Sequence, residues 1–296
     1  MPIALHLFGD ESADESKQRV FAISGLLGTD HEWKLAEDAW LARTGGKVFH
    51  ATECETEYAH DPDPDKHKAN LALYKDLTGI LVDGYVAGIS MALDLGSFRE
   101  FFPAAPPDMP YFKCISDLLT VFSNLTRENN SKPPEEWEFG EGHIDFTFDD
   151  RRESKHNAGR LYTAFLNQPE WANNNGCLGA KLSFDTRENP RIQMADLIAR
   201  EAMKELDRKV GPVKRPSRKS FLALEQSGKF KFQERDRAYL ENSRRKMPQL
   251  QAETGMTDEG YGRWLFETGR VQNGKPHDTI ANRIEYFVLL DRQRQK

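Results

Sequence analysis

Ile3-Ala4-Leu5-His6-Leu7-Phe8 is an apolar run of strand length, and it stops at Gly9-Asp10-Glu11-Ser12. After a polar stretch from Asp10 to Arg19, which reads as a hairpin loop, a second run begins: Val20-Phe21-Ala22-Ile23-Ser24-Gly25-Leu26-Leu27-Gly28. The punctuation recurs at Ile144-Asp145-Phe146-Thr147-Phe148, which ends in Asp149-Asp150. Tyr85 to Leu95 carries the strongest strand signal in the chain, and Cys177 to Phe184 gives another. Between these runs the apolar spacing turns helical over Glu32 to Ala42, Lys66 to Leu81, Tyr111 to Arg127 and Asn157 to Leu166. A last clear helix starts at Pro190, a residue suited to a first turn, and ends near Val210 before Gly211-Pro212. Strands alternating with helices predict one α/β domain with a mixed sheet over 1–210. The remainder, 211–296, reads as a basic, helical C-terminal extension.

The chain has 296 residues, 30% of them charged, with a mean hydropathy of -0.70. That surface is very polar, but 18 Phe, 8 Tyr and 5 Trp supply enough apolar area for a core, which argues against disorder throughout. Cys54, Cys114 and Cys177 are far apart and form no C-x-x-C pair, so neither a disulfide framework nor a structural zinc site is expected. With no apolar run of membrane-spanning length and no leader pattern, the expectation is a cytoplasmic protein without membrane contact. Net charge is -6, yet Lys204 to Lys246 holds 14 Lys or Arg against 6 Asp or Glu. A basic segment on an otherwise acidic chain is a candidate phosphate-backbone contact, with Lys214, Arg215, Arg218, Lys219, Arg244, Arg245 and Lys246 as its members. A solvated helix face is the plainer reading of such a run.

Four acidic positions stand where core elements end: Asp10, Glu53, the Asp149-Asp150 pair, and Asp196 in Ile192-Gln193-Met194-Ala195-Asp196-Leu197-Ile198-Ala199. Taken alone, Asp10-Glu11-Ser12 reads equally as a turn, and Asp149-Asp150-Arg151-Arg152 as a helix cap or surface ion pair. Asp196 lies about 40° around its helix from Ile192, beside the apolar stripe rather than opposite it. A carboxylate there needs a partner, either an arginine or a metal. His50 and Glu53, three apart in Phe49-His50-Ala51-Thr52-Glu53, share a face if that segment is helical; a helix N-terminus is the plainer reading. Gathered carboxylates repel one another unless a cation sits between them, and a divalent metal is the usual one. Metal catalysis on phosphodiesters asks for such carboxylates from separate elements, and two ions can serve the attacking and the leaving oxygen.

The opening strand with Asp-Glu-Ser, the Phe-His-Ala-Thr-Glu segment, the strand ending in Phe-Asp-Asp-Arg and Gln193-Met194-Ala195-Asp196-Leu197-Ile198-Ala199 together resemble the domain of unknown function family 3800. The resemblance spans about Ile3 to Val210, and Gln-x-Ala-Asp-Leu is its sharpest motif. That family is similar to the RNase H-like, or integrase-like, superfamily. The implied fold is an RNase H-like mixed central sheet flanked by helices, with the helical C-terminal extension added. The implied activity is Mg²⁺- or Mn²⁺-dependent cleavage of DNA or RNA, and the implied setting is bacterial antiviral defence. By the same resemblance Asp10 is the first-strand ligand, Asp196 the final-helix ligand, and Asp149 or Asp150 the ligand at the later strand's end. Glu53 is a further candidate ligand, and His50 a residue that positions water or shuttles a proton. The expectation is therefore a nuclease holding two divalent ions. Its rivals are a catalytically silent module that binds nucleic acid or a protein partner, itself included, and a hydrolase of small phosphate esters.

Overall fold

The β1 strand, Leu5–Ala13, runs straight through Asp10-Glu11-Ser12 instead of stopping at Phe8, and it pairs antiparallel with β2, Val20–Thr29. The hairpin is therefore shorter than its polar sequence suggests. Asp14 closes it: one carboxylate oxygen accepts the amides of Arg19 at 2.8 Å and Val20 at 2.9 Å, and the other accepts the Ser16 hydroxyl at 2.5 Å. Burial opposes ionisation of Asp14, but these hydrogen bonds outweigh it and hold the carboxyl below the ordinary aspartate value. The computed structural model describes residues 5–60, 63–103, 109–130, 132–133, 144–150, 162, 178–254, 271–272 and 275–276. The helix expected at Asn157 to Leu166 lies outside these residues, apart from Tyr162.

Four further strands complete a mixed six-stranded sheet: β3, Ala87–Asp94; β4, Ile144–Asp149; β5, Leu178–Asp185; and β6, Phe230–Arg235. Their order across the sheet is β5-β4-β1-β2-β3-β6, and only β2 runs against the others. This is an α/β fold with helices on both faces, compatible with an RNase H-like sheet. The stretch after Gly211 is not purely helical: β6 comes from it and joins the sheet as the neighbour of β3. A separate two-stranded ladder pairs Val271–Gln272 with Lys275–Pro276.

Side chains alternate across each strand, and the two faces bury different partners. Leu5, Leu7, Ile23, Met91, Phe146 and Phe148 face a core shared with α4, Leu95–Phe101, α5, Met109–Asn130, and α8, Arg237–Thr254. On the other face Phe8 and Leu26 meet α1, Asp30–Thr44, α3, Pro64–Asp83, and α6, Pro190–Val210. Two shorter helices, α2, Ala51–His60, and α7, Lys219–Gln226, lie on this second side. The α1 helix starts with a capping box in which Thr29 and Glu32 satisfy each other's amides. Pro190 starts α6 as the sequence predicts, and Asn189 caps it: the Asn189 side chain accepts the Arg191 amide at 2.9 Å.

Gly9 lies beneath the Phe148 ring. A Cβ at this position would stand 2.4 Å from Phe148 Cε1 and 2.8 Å from the Ser24 carbonyl oxygen. Gly9→Ala is expected to destabilise the fold by about 1–3 kcal/mol through overpacking. A lowered urea midpoint with an unchanged m-value would be the signature, and an unchanged midpoint would mean that the ring yields freely.

Candidate functional site

Strand alternation decides which acidic residues share a face. Asp10 follows Phe8 on the α6 side of β1, and Asp149 follows Thr147 on the same side of β4, opposite Phe146 and Phe148. The parallel register pairs Gly9 with Phe148, so Asp149 comes one step later alongside Asp10. Neighbouring strands lie about 4.8 Å apart. Asp150, the next residue, falls on the opposite side, and its amide bonds the Asp185 carbonyl at 2.8 Å. Of the pair, Asp149 is the residue that lies within β4 on the face Asp10 shares. The register also pairs Asp149 with Asp185, a third carboxylate at the same end of the sheet. Asp185 carries the same sequence signal as Asp10 and Asp149, an apolar run ending in Asp, and is not among the candidates expected from the sequence. Its oxygens accept the Thr186 amide and the Asn189 side-chain amide, both at 2.7 Å.

The α6 helix brings Asp196 to this face. Asp10 pairs across the hairpin with Ser24, and the Ser24 hydroxyl donates to the Ala195 carbonyl at 2.7 Å. Asp196 is therefore the residue immediately after the point where α6 touches β2. Periodicity places it beside an apolar stripe, whereas α6 is buried on nearly every side from Pro190 to Met203. What covers Asp196 is the start of α2: its carboxylate accepts the Ala51 amide at 2.7 Å. His50, just ahead of the helix, accepts the Thr52 amide on Nδ1 at 3.2 Å, and that nitrogen lies 3.5 Å from Asp196. Asp196 and His50 thus satisfy two first-turn amides of α2 between them.

Glu53 is not among the buried carboxylates. Its side chain is 66% exposed at the rim and contacts Arg187 at 3.3 Å. His50 and Glu53 accordingly form no joint pair: one lies against Asp196, the other against Arg187. Among the described residues no three His, Cys, Asp or Glu side chains converge closely enough to hold a metal ion between them. Asp10 and Asp196 are both buried, at 7% and 5% exposure.

Gln193, the first residue of the Gln-x-Ala-Asp motif, organises the site without belonging to the carboxylates. Its oxygen accepts the Trp40 indole at 2.9 Å and the Phe49 amide at 3.1 Å, and its nitrogen donates to the Arg187 carbonyl at 2.9 Å. One carboxamide therefore ties α1, the segment entering α2 and the loop entering α6. Helical spacing gives no signal of this role, since Gln193 lies about 100° around α6 from Ile192, off the apolar stripe.

The basic segment divides on inspection. Arg218 is turned inward, where it meets Glu55 and Glu201, each at 3.1 Å, and lies over the Tyr74 ring at 5.2 Å. This corrects its assignment to a nucleic-acid surface. Arg215 pairs with Asp207, and Arg245 with Glu241 one helical turn away. Arg244 is half-buried in α8, and the Lys246 side chain lies outside the described residues. Lys214 and Lys219 remain exposed.

Arg218 belongs to a buried charge cluster. Glu55 takes Arg200 at 2.6 Å and Lys204 at 3.3 Å in addition to Arg218, while Glu201, fully buried, accepts the Tyr74 hydroxyl at 2.6 Å. Burial opposes the Glu55 charge, but Arg218, Arg200 and Lys204 outweigh it and hold the carboxyl below the ordinary value. For Glu201, burial wins over Arg218 and Tyr74 and raises the carboxyl.

No family model, curated protein or solved structure matches the chain.

Gln193→Leu keeps the volume but strands a buried indole N–H, an amide and a carbonyl. It is expected to cost about 2–4 kcal/mol, read from denaturant unfolding. Glu55 yields a pH prediction. Its folded pKa lies below the unfolded one, so ionised Glu55 stabilises the fold above the ordinary value of 4.5, and the contribution fades as pH falls through the lower folded value. Glu55→Gln should therefore melt well below wild type at neutral pH, by the equivalent of about 3 kcal/mol, with the gap closing in acid. A gap that stays constant down to acid would contradict this account.

Proposed function

We propose that the carboxylates on the α6 side of the sheet form a divalent-metal site for phosphodiester hydrolysis, which makes this chain a metal-dependent nuclease. One observation carries the reading: Asp10 and Asp149 stand on neighbouring strands at the same end and on the same face, beneath the helix that supplies Asp196. Carboxylates placed this close repel one another unless a cation lies between them. The donor set is all oxygen, which suits Mg²⁺ or Mn²⁺. Mg²⁺ commonly takes one or two protein carboxylates and fills its shell with waters and substrate phosphate oxygens, so a converging triad is not required. Asp10 and Asp149 would hold the ion, with Asp196 beside them. A bound ion would supply Lewis-acid polarisation of the phosphoryl group and a more acidic water. The chain's own contribution is a set of carboxylates on fixed elements, Asp10 and Asp196 buried and Asp149 half-buried, with His50 next to Asp196 as a group able to orient a water.

A second reading, a silent module that binds nucleic acid or protein, is favoured by the engagement of Asp196 and His50 as caps of α2. In that reading both residues have structural work that explains their presence without a metal.

Incubation with Mg²⁺ or Mn²⁺ and with single- and double-stranded DNA and RNA separates the two. Asp10→Asn and Asp196→Asn should each abolish cleavage. Asp149→Asn should reduce it by more than about 100-fold, while Asp150→Asn, on the wrong face, stays within a few-fold of wild type. Equal losses at Asp149 and Asp150 would overturn the face assignment, and binding without cleavage in the wild type would favour the silent module.

A further inference from the structure

The Arg187–Glu53 ion pair spans the gap between the two segments that frame the candidate site. Arg187 sits in the loop that leaves Asp185 and enters α6, and its carbonyl is held by Gln193. Glu53 sits in the first turn of α2, the helix that begins on Asp196. Beneath the pair, Gln193 already joins these segments through Phe49 and Arg187. The pair itself is a single contact of 3.3 Å between side chains that are 61% and 66% exposed. Such a contact in water contributes little to folding and exchanges readily. The segments are therefore held together without it.

The surroundings of Arg187 indicate what it is there for. The site below is lined with Asp10, Asp149, Asp185 and Asp196, a field that repels an incoming phosphodiester. Arg191, one helical turn further on, does not answer that field, because it lies over the Phe8 and Trp33 rings and pairs with Glu37. Arg187 stands on the rim with its backbone fixed and its guanidinium in solvent. A guanidinium offers the fork of donors that matches two phosphate oxygens, a better partner than one exposed carboxylate.

We propose that Arg187 is a substrate-phosphate residue of this site and that Glu53 holds it at the rim until a phosphodiester displaces the carboxylate. The proposal rests on the reading of the carboxylate face as a phosphodiesterase site. It also gives Glu53 a role other than metal ligand: partner and competitor for the cation that receives substrate.

The test measures binding of short mixed-sequence DNA and RNA single strands across a range of salt. Ca²⁺ is present as an oxygen-seeking ion, and probe integrity is checked after each titration. Arg187→Ala removes the side chain but not the carbonyl that Gln193 holds, so the fold should survive. It should weaken binding about three- to tenfold and lower the salt slope by about 0.7, one phosphate contact on a single strand. Arg187→Lys should restore most of the slope. Glu53→Gln should tighten binding in the wild type but lose that effect in the Arg187→Ala background, which distinguishes release of the arginine from simple loss of a negative charge. Preference for one probe assigns the source of the phosphate as DNA or RNA. If Arg187→Ala leaves affinity and slope unchanged while wild type still binds or cleaves, the proposal falls and the phosphodiesterase reading stands. If wild type neither binds nor cleaves either probe, both fall together.

Discussion

A helix buried on nearly every side has to find a partner for each polar group it carries, and α6 carries many. Gln193, Asp196, Arg200, Glu201 and Glu205 are all buried along it. An unpaired polar group at such a position costs free energy comparable to a lost hydrogen bond, and an unpaired charge costs more. The rest of the α6 side of the fold is arranged to meet that demand. Trp40 and Phe49 answer Gln193, Ala51 answers Asp196, Glu55 answers Arg200, and Tyr74 with Arg218 answers Glu201. Four segments distant in sequence are thereby fixed against one helix.

The spacing of these groups sets the position of α2. Asp196, Arg200 and Lys204 recur every four residues, so they form one row along α6. That row faces α2: Asp196 takes the first amide of the helix, and Arg200 and Lys204 both reach Glu55 in its second turn. Two polar contacts one turn apart fix both the start of α2 and its rotation. Glu53 lies between the two anchored points, which accounts for its place at the rim. Buried charge clusters of this kind are weak arguments for stability and better arguments for register, because a misplaced helix would leave several charges unanswered at once.

Much of the architecture was legible because it rests on periodicity. Strands β2, β3, β4 and β5 and helix α6 lie close to where apolar runs and the Pro190 start place them. The end of β1 was not legible, because Asp10-Glu11-Ser12 has turn composition and is held extended only by pairing with Ile23, Ser24 and Ala22. Nor was β6: Phe230-Lys231-Phe232-Gln233-Glu234-Arg235 lies inside a charge-rich stretch, and its pairing with β3 is a tertiary fact. The site divided in the same way. Asp10 and Asp196 stand out as candidates in local sequence, whereas ranking Asp149 above Asp150 as a candidate takes a face and a register. Arg218 misled because a basic run on paper says nothing of which side chain turns inward.

Asp196 holds the start of α2, and the proposed metal site would ask a second task of it with different physical demands. As the partner of the Ala51 amide it has only to present an oxygen acceptor at the positive end of α2, a task that a neutral side-chain amide also performs. As a member of the proposed site with Asp10 and Asp149 it would have to carry charge. The first turn of α2 favours that charge, since the exposed amides of a helix N-terminus stabilise a nearby anion. An asparagine at this position would satisfy the helix and leave the sheet end with one charge fewer. A carboxylate there goes beyond what capping requires, and that excess of charge, beside two further aspartates on the same face, is the physical content of the functional reading.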